Sequence, residues 1–173
     1  MEHVKGPDMD REAILNHLVA AYQRDLLRIS YLYLRDAALA EDAVQETFFK
    51  AFRSLDSFRG ESHEKTWLMR IAINTCKDMK KAGWFRFLDG KIVPENLPER
   101  PSLEEEDRGI LEDILSLPAK WKEPLLLYYW ENMSEQEIAA ALGIGVSTVC
   151  TRLARARKKL RVALEGGEEQ HEK

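Results

Sequence analysis

Ser147, Thr151, Arg155 and Lys158 follow one another at steps of four, four and three residues, flanked by Thr148, Arg152, Arg157 and Lys159. At 100° per residue this spacing lines one face of a helix. The face begins with small hydroxyl side chains and ends in guanidinium and ammonium groups. Such a gradient suits recognition of duplex nucleic acid. The slim end can enter a major groove, and the cationic end can meet phosphates. Val146 to Leu164 holds six basic residues and no acidic one, in a chain of net charge −4. A basic helix that was merely solvated would leave that segregation without a reason.

A recognition face needs neighbours to aim it. Ser134 and Glu137 have capping-box spacing and mark a helix start. Ile138, Ala139 and Leu142 form one apolar side of that helix, and Gly143 can take the left-handed conformation that ends it. Val149, Leu153, Ala156 and Leu160 then make a buried stripe opposite the hydroxyl and cationic face. Residues 134–161 therefore predict a helix-turn-helix. Its core is supplied from below by a helix over about residues 119–131, with the apolar block Leu125 to Trp130, and by a shorter acidic helix that ends at Pro118.

The rest of the chain also reads as helix. A first helix, about residues 10–34, buries Leu15, Leu18, Tyr22, Leu26, Ile29 and Tyr33. A second, about 39–55, buries Ala40, Val44, Phe48, Ala51, Phe52 and Leu55. Its opposite face holds Asp42, Glu46, Phe49 and Arg53, with Gln45 at the edge. Single exposed apolar residues are common, but a Phe ringed by charges of both signs also has the arrangement of a small protein-binding hot spot. A Gly60-containing loop follows, in which Arg59 and His63 are candidate nucleic-acid contacts. The third helix, about 65–81, has Leu68, Ala72, Thr75 and Met79 inside, and Thr66, Arg70, Asn74, Lys77 and Lys81 on an outer stripe. That stripe fits single-stranded or melted nucleic acid, and a plain solvated face would look the same.

Punctuation by Gly83, Gly90, Pro94, Pro98 and Pro101 ends the helical pattern. The expected organisation is all-α: a helical domain over 10–82, a linker over 83–103 in which Trp84, Phe85 and Phe87 dock part of the segment, a second helical domain over 104–164, and a disordered acidic tail over 165–173. The charge divides accordingly. Residues 1–82 are neutral, 83–118 carry −5, 119–164 carry +4 and the tail carries −3. The basic character is local, which is what matters for nucleic acid.

Several function classes are excluded. Cys76 and Cys150 are isolated and make no cluster with the four His, so neither metal nor redox chemistry is supported. No Gly-rich phosphate loop, HExxH or nucleophile elbow appears, so no enzyme, cofactor or small-molecule substrate is expected. No apolar run approaches the ~20 residues of a membrane span, and the N-terminus has no signal-peptide core. The expected location is the cytoplasm.

Three segments together resemble the group IV, or extracytoplasmic-function, sigma factors of bacterial RNA polymerase. AEDAVQETFFKAF, from Ala40, is similar to region 2.2 of that family. FRGES followed by KTWLMRIAINTCKD resembles regions 2.3 and 2.4, and the segment from Leu117 to Leu160 resembles region 4. The resemblance covers about residues 10–164, in family order. It implies that Asp42, Gln45, Glu46, Phe49 and Arg53 dock on core RNA polymerase. It also implies that Arg59, Ser62, His63, Thr66, Arg70, Asn74, Lys77 and Lys81 meet the minus-ten element. Ser147, Thr148, Cys150, Thr151, Arg152, Arg155, Arg157 and Lys158 would meet the minus-thirty-five element. The implied function is promoter-specific initiation of transcription, with promoter DNA and core polymerase as partners and an anti-sigma factor, often membrane-bound in the family, as a further one. The family often has Lys where this chain has Cys150 and Gly where it has Ser147. Two other classes fit the residues: a stand-alone helix-turn-helix regulator that binds DNA tightly by itself, and a helical adaptor whose basic helix binds an acidic protein.

Overall fold

The computed structural model describes residues 7–58, 60, 63–82 and 105–168. Among these, the regular elements are seven α-helices and one 3-10 turn, with no strand. The chain divides into two compact units, residues 1–98 and 99–173, each with its own core. The all-α expectation with two helical domains therefore holds. The linker over 83–103, with Trp84, Phe85 and Phe87, lies outside the described residues, as do Arg59 and Ser62.

In the first unit, α1 (Pro7–Leu34), α2 (Ala37–Arg53) and α3 (Glu64–Lys81) each pack on the other two. Leu18, Leu26, Ile29 and Leu32 of α1 meet Leu68, Met69 and Ile73 of α3, all essentially inaccessible to solvent. The contribution of α2 is largely small: Ala40, Ala43 and Ala51 are fully buried and let its backbone come close, with Val44 and Phe48 filling the remaining space. Phe52 and Leu55, placed in the core by the sequence pattern, are only half-buried, because they sit where α2 runs off the bundle. Arg11 covers Phe52, its guanidinium 5.1 Å from the ring centre. The same group donates to the Phe52 carbonyl at 2.7 Å and pairs with Asp56, which lies in the 3-10 turn Leu55–Ser57.

Two residues connect α1 and α2. Arg35 is left-handed, with φ of 55°, and its N–H donates to the Tyr31 carbonyl at 2.7 Å. This is the conformation that Gly commonly supplies at a helix end. The Asp36 carboxylate accepts the Leu39 N–H at 2.7 Å, so α2 begins at Ala37 rather than at the predicted Leu39. The start of α3 is tied to α1 by Lys65, 3.1 Å from Asp25, and by Glu64, which meets both His17 and Tyr22 at 3.3 Å. Burial, helped by the Glu64 charge, raises the Tyr22 phenol above its ordinary range.

Thr66 corrects the sequence reading. It was expected on the outer stripe of α3, but it is 3% exposed and its hydroxyl has no hydrogen-bond partner among the described residues. The reason is geometric. Because α3 is covered by both α1 and α2, its buried arc is wide and takes in Ile73 and Thr66, which project within about 20° of each other at helical period. Cys76 is 1% exposed, and burial pushes its thiol up to about 11.

The second unit contains α4 (Glu105–Ser116), α5 (Ala119–Tyr129), α6 (Glu135–Leu142) and α7 (Val146–Glu168). Leu111, Ile114 and Leu115 of α4 and Leu125, Leu126 and Leu127 of α5 form the base. Ile138, Val149, Leu153 and Ala156 close it from above, all fully buried. A left-handed Asn132, with φ of 52°, and the Met133 N–H donating to the Leu127 carbonyl at 3.1 Å turn the chain from α5 into α6. Ser134 forms the expected capping box: its hydroxyl accepts the Glu137 N–H at 3.2 Å, and the Glu137 carboxylate accepts the Ser134 N–H at 2.7 Å. Gly143 takes the left-handed conformation, φ 67° and ψ 36°, and α7 leaves at 105° to α6. This is the crossing of a helix-turn-helix. The tail expected from residue 165 is helical through Glu168, since extending a formed helix costs far less than starting one. Residues 169–173 lie outside the described ones.

Two stability outcomes follow. Ser134→Ala removes one half of the capping box and is expected to destabilise the second unit by about 1 kcal/mol, read as faster amide hydrogen exchange in α6 and α7. Unchanged exchange would mean that the cap contributes nothing. Thr66→Val replaces an unpaired buried hydroxyl by a methyl of similar shape. It is expected to leave stability unchanged or raise it by up to ~1 kcal/mol, measured by urea unfolding. A clear loss would show that the hydroxyl has a partner.

Candidate nucleic-acid interface and protein-docking face

On α7 the buried stripe of Val149, Leu153 and Ala156 turns the opposite arc outward. Ser147, Thr148, Thr151, Ala154, Arg155 and Lys158 are all exposed, as the spacing predicts. Gly145 starts the helix, its carbonyl accepting the Val149 N–H at 3.1 Å. The Thr151 hydroxyl donates to the Ser147 carbonyl at 2.9 Å, which steadies its rotamer while leaving its lone pairs outward. Four polar side chains, Ser147, Thr151, Arg155 and Lys158, therefore share one open face over three turns of helix, with Thr151 left as an acceptor.

Two of the predicted contacts sit on the flank of α7 instead. Cys150 is half-buried, and its thiol donates to the Glu135 carboxylate at the start of α6 at 3.1 Å. That hydrogen bond to a carboxylate raises the thiol pKa, so the group stays neutral and is spoken for. Arg157 donates to the Tyr129 hydroxyl at 2.9 Å and lies 5.2 Å over the Tyr128 ring and 5.7 Å over the Tyr129 ring. Its guanidinium is held against α5, toward one side of the recognition face.

The opposite flank carries residues that the helical pattern of α7 does not reveal. Trp121 of α5 lies against α7, half-buried. Lys120 places its ammonium 5.0 Å over the indole, and Lys159 of α7 places its own at 5.9 Å. A groove of about 340 Å³ runs from Lys120 and Trp121 to Ser147, Thr151 and Arg155. The sequence holds the residue types, in the run Lys120-Trp121-Lys122, but their approach to α7 depends on how α5 crosses beneath it.

In the first unit, Asp42, Gln45, Glu46, Phe49 and Arg53 are all exposed on α2, Phe49 at 55%. The Arg53 guanidinium lies 5.6 Å over the Phe49 ring, and Glu46 is 3.9 Å from Lys50. Phe49 is also not alone. It forms the rim of an open groove of about 390 Å³ between α1 and α2, lined by Leu15, Val19, Phe48 and Phe52. The α1 residues were missed because periodicity within one helix cannot show which face of another lies beside it.

On α3, Arg70, Asn74 and Lys81 are exposed and Lys77 is half-buried, with exposed His63 just before the helix. Gly60, with φ of 68°, turns the preceding loop. Phe58 packs on Trp67 with ring centres 4.7 Å apart, which ties the residue after the 3-10 turn to α3. Thr66 is the exception already noted. Among the described residues, no group of His, Cys, Asp or Glu is arranged to hold a metal.

Comparison with known proteins agrees with this division. Residues 18–86 match Sigma-70 region 2, and residues 108–160 match Sigma-70, region 4. The chain is 35% identical over 163 residues to the RNA polymerase sigma-H factor of Pseudomonas aeruginosa, covering 86% of this chain and 84% of that protein. It is 37% identical over 160 residues to the ECF RNA polymerase sigma-E factor of Escherichia coli K12, covering 84% and 83%. Among solved structures it resembles CnrH in complex with the cytosolic domain of CnrY, with a TM-score of 0.69, 27% identity and 90% of each chain covered. It also resembles the sigma factor RpoE of Bartonella quintana in complex with the anti-sigma factor NepR, with a TM-score of 0.63 and 28% identity, covering 90% of this chain and 97% of that one. With both regions present in order and relatives matched along most of their length, the chain belongs to the sigma-70 family, as an extracytoplasmic-function sigma factor.

Proposed function

We infer that the protein binds core RNA polymerase and directs it to promoters by engaging the minus-ten and minus-thirty-five elements, without catalysing a reaction itself. One observation carries this reading. Two different recognition surfaces stand on two separately packed units: a hydroxyl-to-cation gradient on α7, and a charge-ringed Phe49 on α2. The first suits a major groove with phosphates at its edge. The second suits a protein partner. A stand-alone regulator would need the first surface and not the second.

In this reading Asp42, Gln45, Glu46, Phe49 and Arg53, with Leu15 and Val19 beside them, receive the polymerase. Arg70, Asn74, Lys77 and Lys81 face melted promoter DNA, helped by the Phe58–Trp67 loop. Ser147, Thr148, Thr151 and Arg155 meet bases upstream, while Arg152 and Lys158 hold phosphates. Thr66 has no direct part. CnrH and the Bartonella sigma factor were each solved with a bound partner, and an anti-sigma factor is the corresponding partner here. Action on promoter DNA places the protein in the cytoplasm. No single helix among the described residues is long and apolar enough to cross a membrane.

The deciding experiment is titration of a labelled promoter duplex at physiological salt, with and without core polymerase. The isolated protein is expected to bind weakly, because its net charge of −4 gives little long-range attraction to a polyanion. Core polymerase should make binding tight and specific. Phe49→Ala should weaken core binding by about 2 kcal/mol and leave folding intact, since the ring is largely exposed. Nanomolar, sequence-specific binding without core would promote the stand-alone regulator instead.

Within α7 the base and phosphate roles are separable. Thr151→Ala is expected to change which upstream sequence a promoter library selects. Lys158→Ala should weaken all sequences alike and lower the salt slope by about one. The reverse pattern would mean that α7 enters the groove in another orientation.

A further inference from the structure

The Trp121 flank of α7 carries an indole and two lysines that the base-facing reading does not use. The ring lies under two ammonium groups, Lys120 at 5.0 Å and Lys159 at 5.9 Å. Arg152 and Arg155 border the same groove. Two ammonium groups thus meet on one indole, Arg152 and Arg155 line the groove beside it, and among the described residues no carboxylate lines this groove or its continuation along Lys158 and Val162. Gathering like charges is unfavourable, and an exposed cation–π contact returns only ~0.5–1 kcal/mol. Water and dissolved salt screen these exposed cations in the free protein, and an anion seated among them would remove the rest of the repulsion. The groove opens onto Ser147, Thr148 and Thr151, so an anion seated in it would lie beside whatever those hydroxyls face.

We propose that Lys120, Trp121 and Lys159 form a phosphate-binding flank, which grips the DNA strand bordering the major groove that α7 enters. Trp121 acts as a pedestal. It fills the angle between α5 and α7 with apolar surface and holds two flexible lysine side chains in the orientation a phosphate strand requires, which lowers the entropy lost on binding. A major groove is bordered by two strands, and α7 has a second pedestal on its other side, where Tyr128 and Tyr129 hold Arg157. The Trp121 flank, with two lysines and two bordering arginines, is the more strongly cationic. This proposal rests on the sigma-factor reading, because it requires α7 to lie in a DNA groove.

The test uses the full chain with core polymerase on a promoter duplex. The double variant Lys120→Gln, Lys159→Gln is expected to weaken promoter binding about tenfold and to lower the salt slope by about two. Base preference in a promoter library, and affinity for core polymerase in the absence of DNA, should be unchanged. A second series replaces single phosphates of the upstream element by neutral methylphosphonates. The unmodified protein should lose affinity at one or two adjacent positions on one strand, and the double variant should be indifferent to those substitutions. Trp121→Leu, which keeps apolar volume but removes the ring face, should lose part of that positional sensitivity.

A wild-type salt slope in the double variant, or equal sensitivity of both proteins to every methylphosphonate, would overturn the proposal. Loss of core binding with unchanged DNA contacts would overturn it too, and would assign the flank to a protein partner. If the unmodified protein with core shows no promoter preference at all, it is the sigma-factor reading that fails, which separates the two failures.

Discussion

A single left-handed residue sets the geometry of the DNA-reading unit. At Gly143, with φ of 67°, an added Cβ would meet nothing within 4 Å, so the constraint is torsional and not one of space. A residue with a side chain would pay roughly 1–2 kcal/mol to hold that conformation. The turn it permits sends α7 off at 105° and carries Val149, Leu153 and Ala156 into full burial. The outward face is what remains of α7 once that stripe is inside. The capping box at Ser134 secures the other end of α6, so a helix of only eight residues, too short to be stable alone, is fixed at both termini.

Aromatic residues of α5 hold cations on both flanks of α7: Trp121 lies under Lys120 and Lys159, and Tyr128 and Tyr129 lie under Arg157. Each contact is weak in energetic terms, so its effect on fold stability is small. What it changes is the number of conformations a long side chain explores.

The first unit faces a different constraint. A bundle of three helices buries one broad arc of each, and an aromatic ring left outside forfeits on the order of 1–2 kcal/mol of burial. Phe49 is left out, while α2 fills its inner face largely with alanines. That composition brings α1 close enough for Leu15 and Val19 to widen the apolar surface around Phe49. One exposed ring is a small target for a partner, whereas a groove with a charged rim is a larger and more selective one.

Much of this was legible in the residues. Helical periodicity predicted seven helices in two domains, the capping box at Ser134, the turn at Gly143 and the open face of Ser147, Thr151, Arg155 and Lys158. These features are local: each depends on spacing within one helix or on the conformational preference of one residue. What the sequence by itself could not determine is which helices meet, and along which arcs. Thr66 was assigned to the surface because it continues a polar stripe, yet two neighbouring helices cover α3 and widen its buried arc past that position. Cys150 and Arg157 were assigned to the groove, but the packing of α7 against α6 and α5 brings Glu135 and Tyr129 within hydrogen-bonding reach of them. The placing of Lys120 and Trp121 beside α7 comes from α5 crossing under it, which no spacing within either helix encodes. Periodicity is a property of one helix, whereas the arc a helix exposes is set by its neighbours, and only the tertiary structure brings those neighbours together.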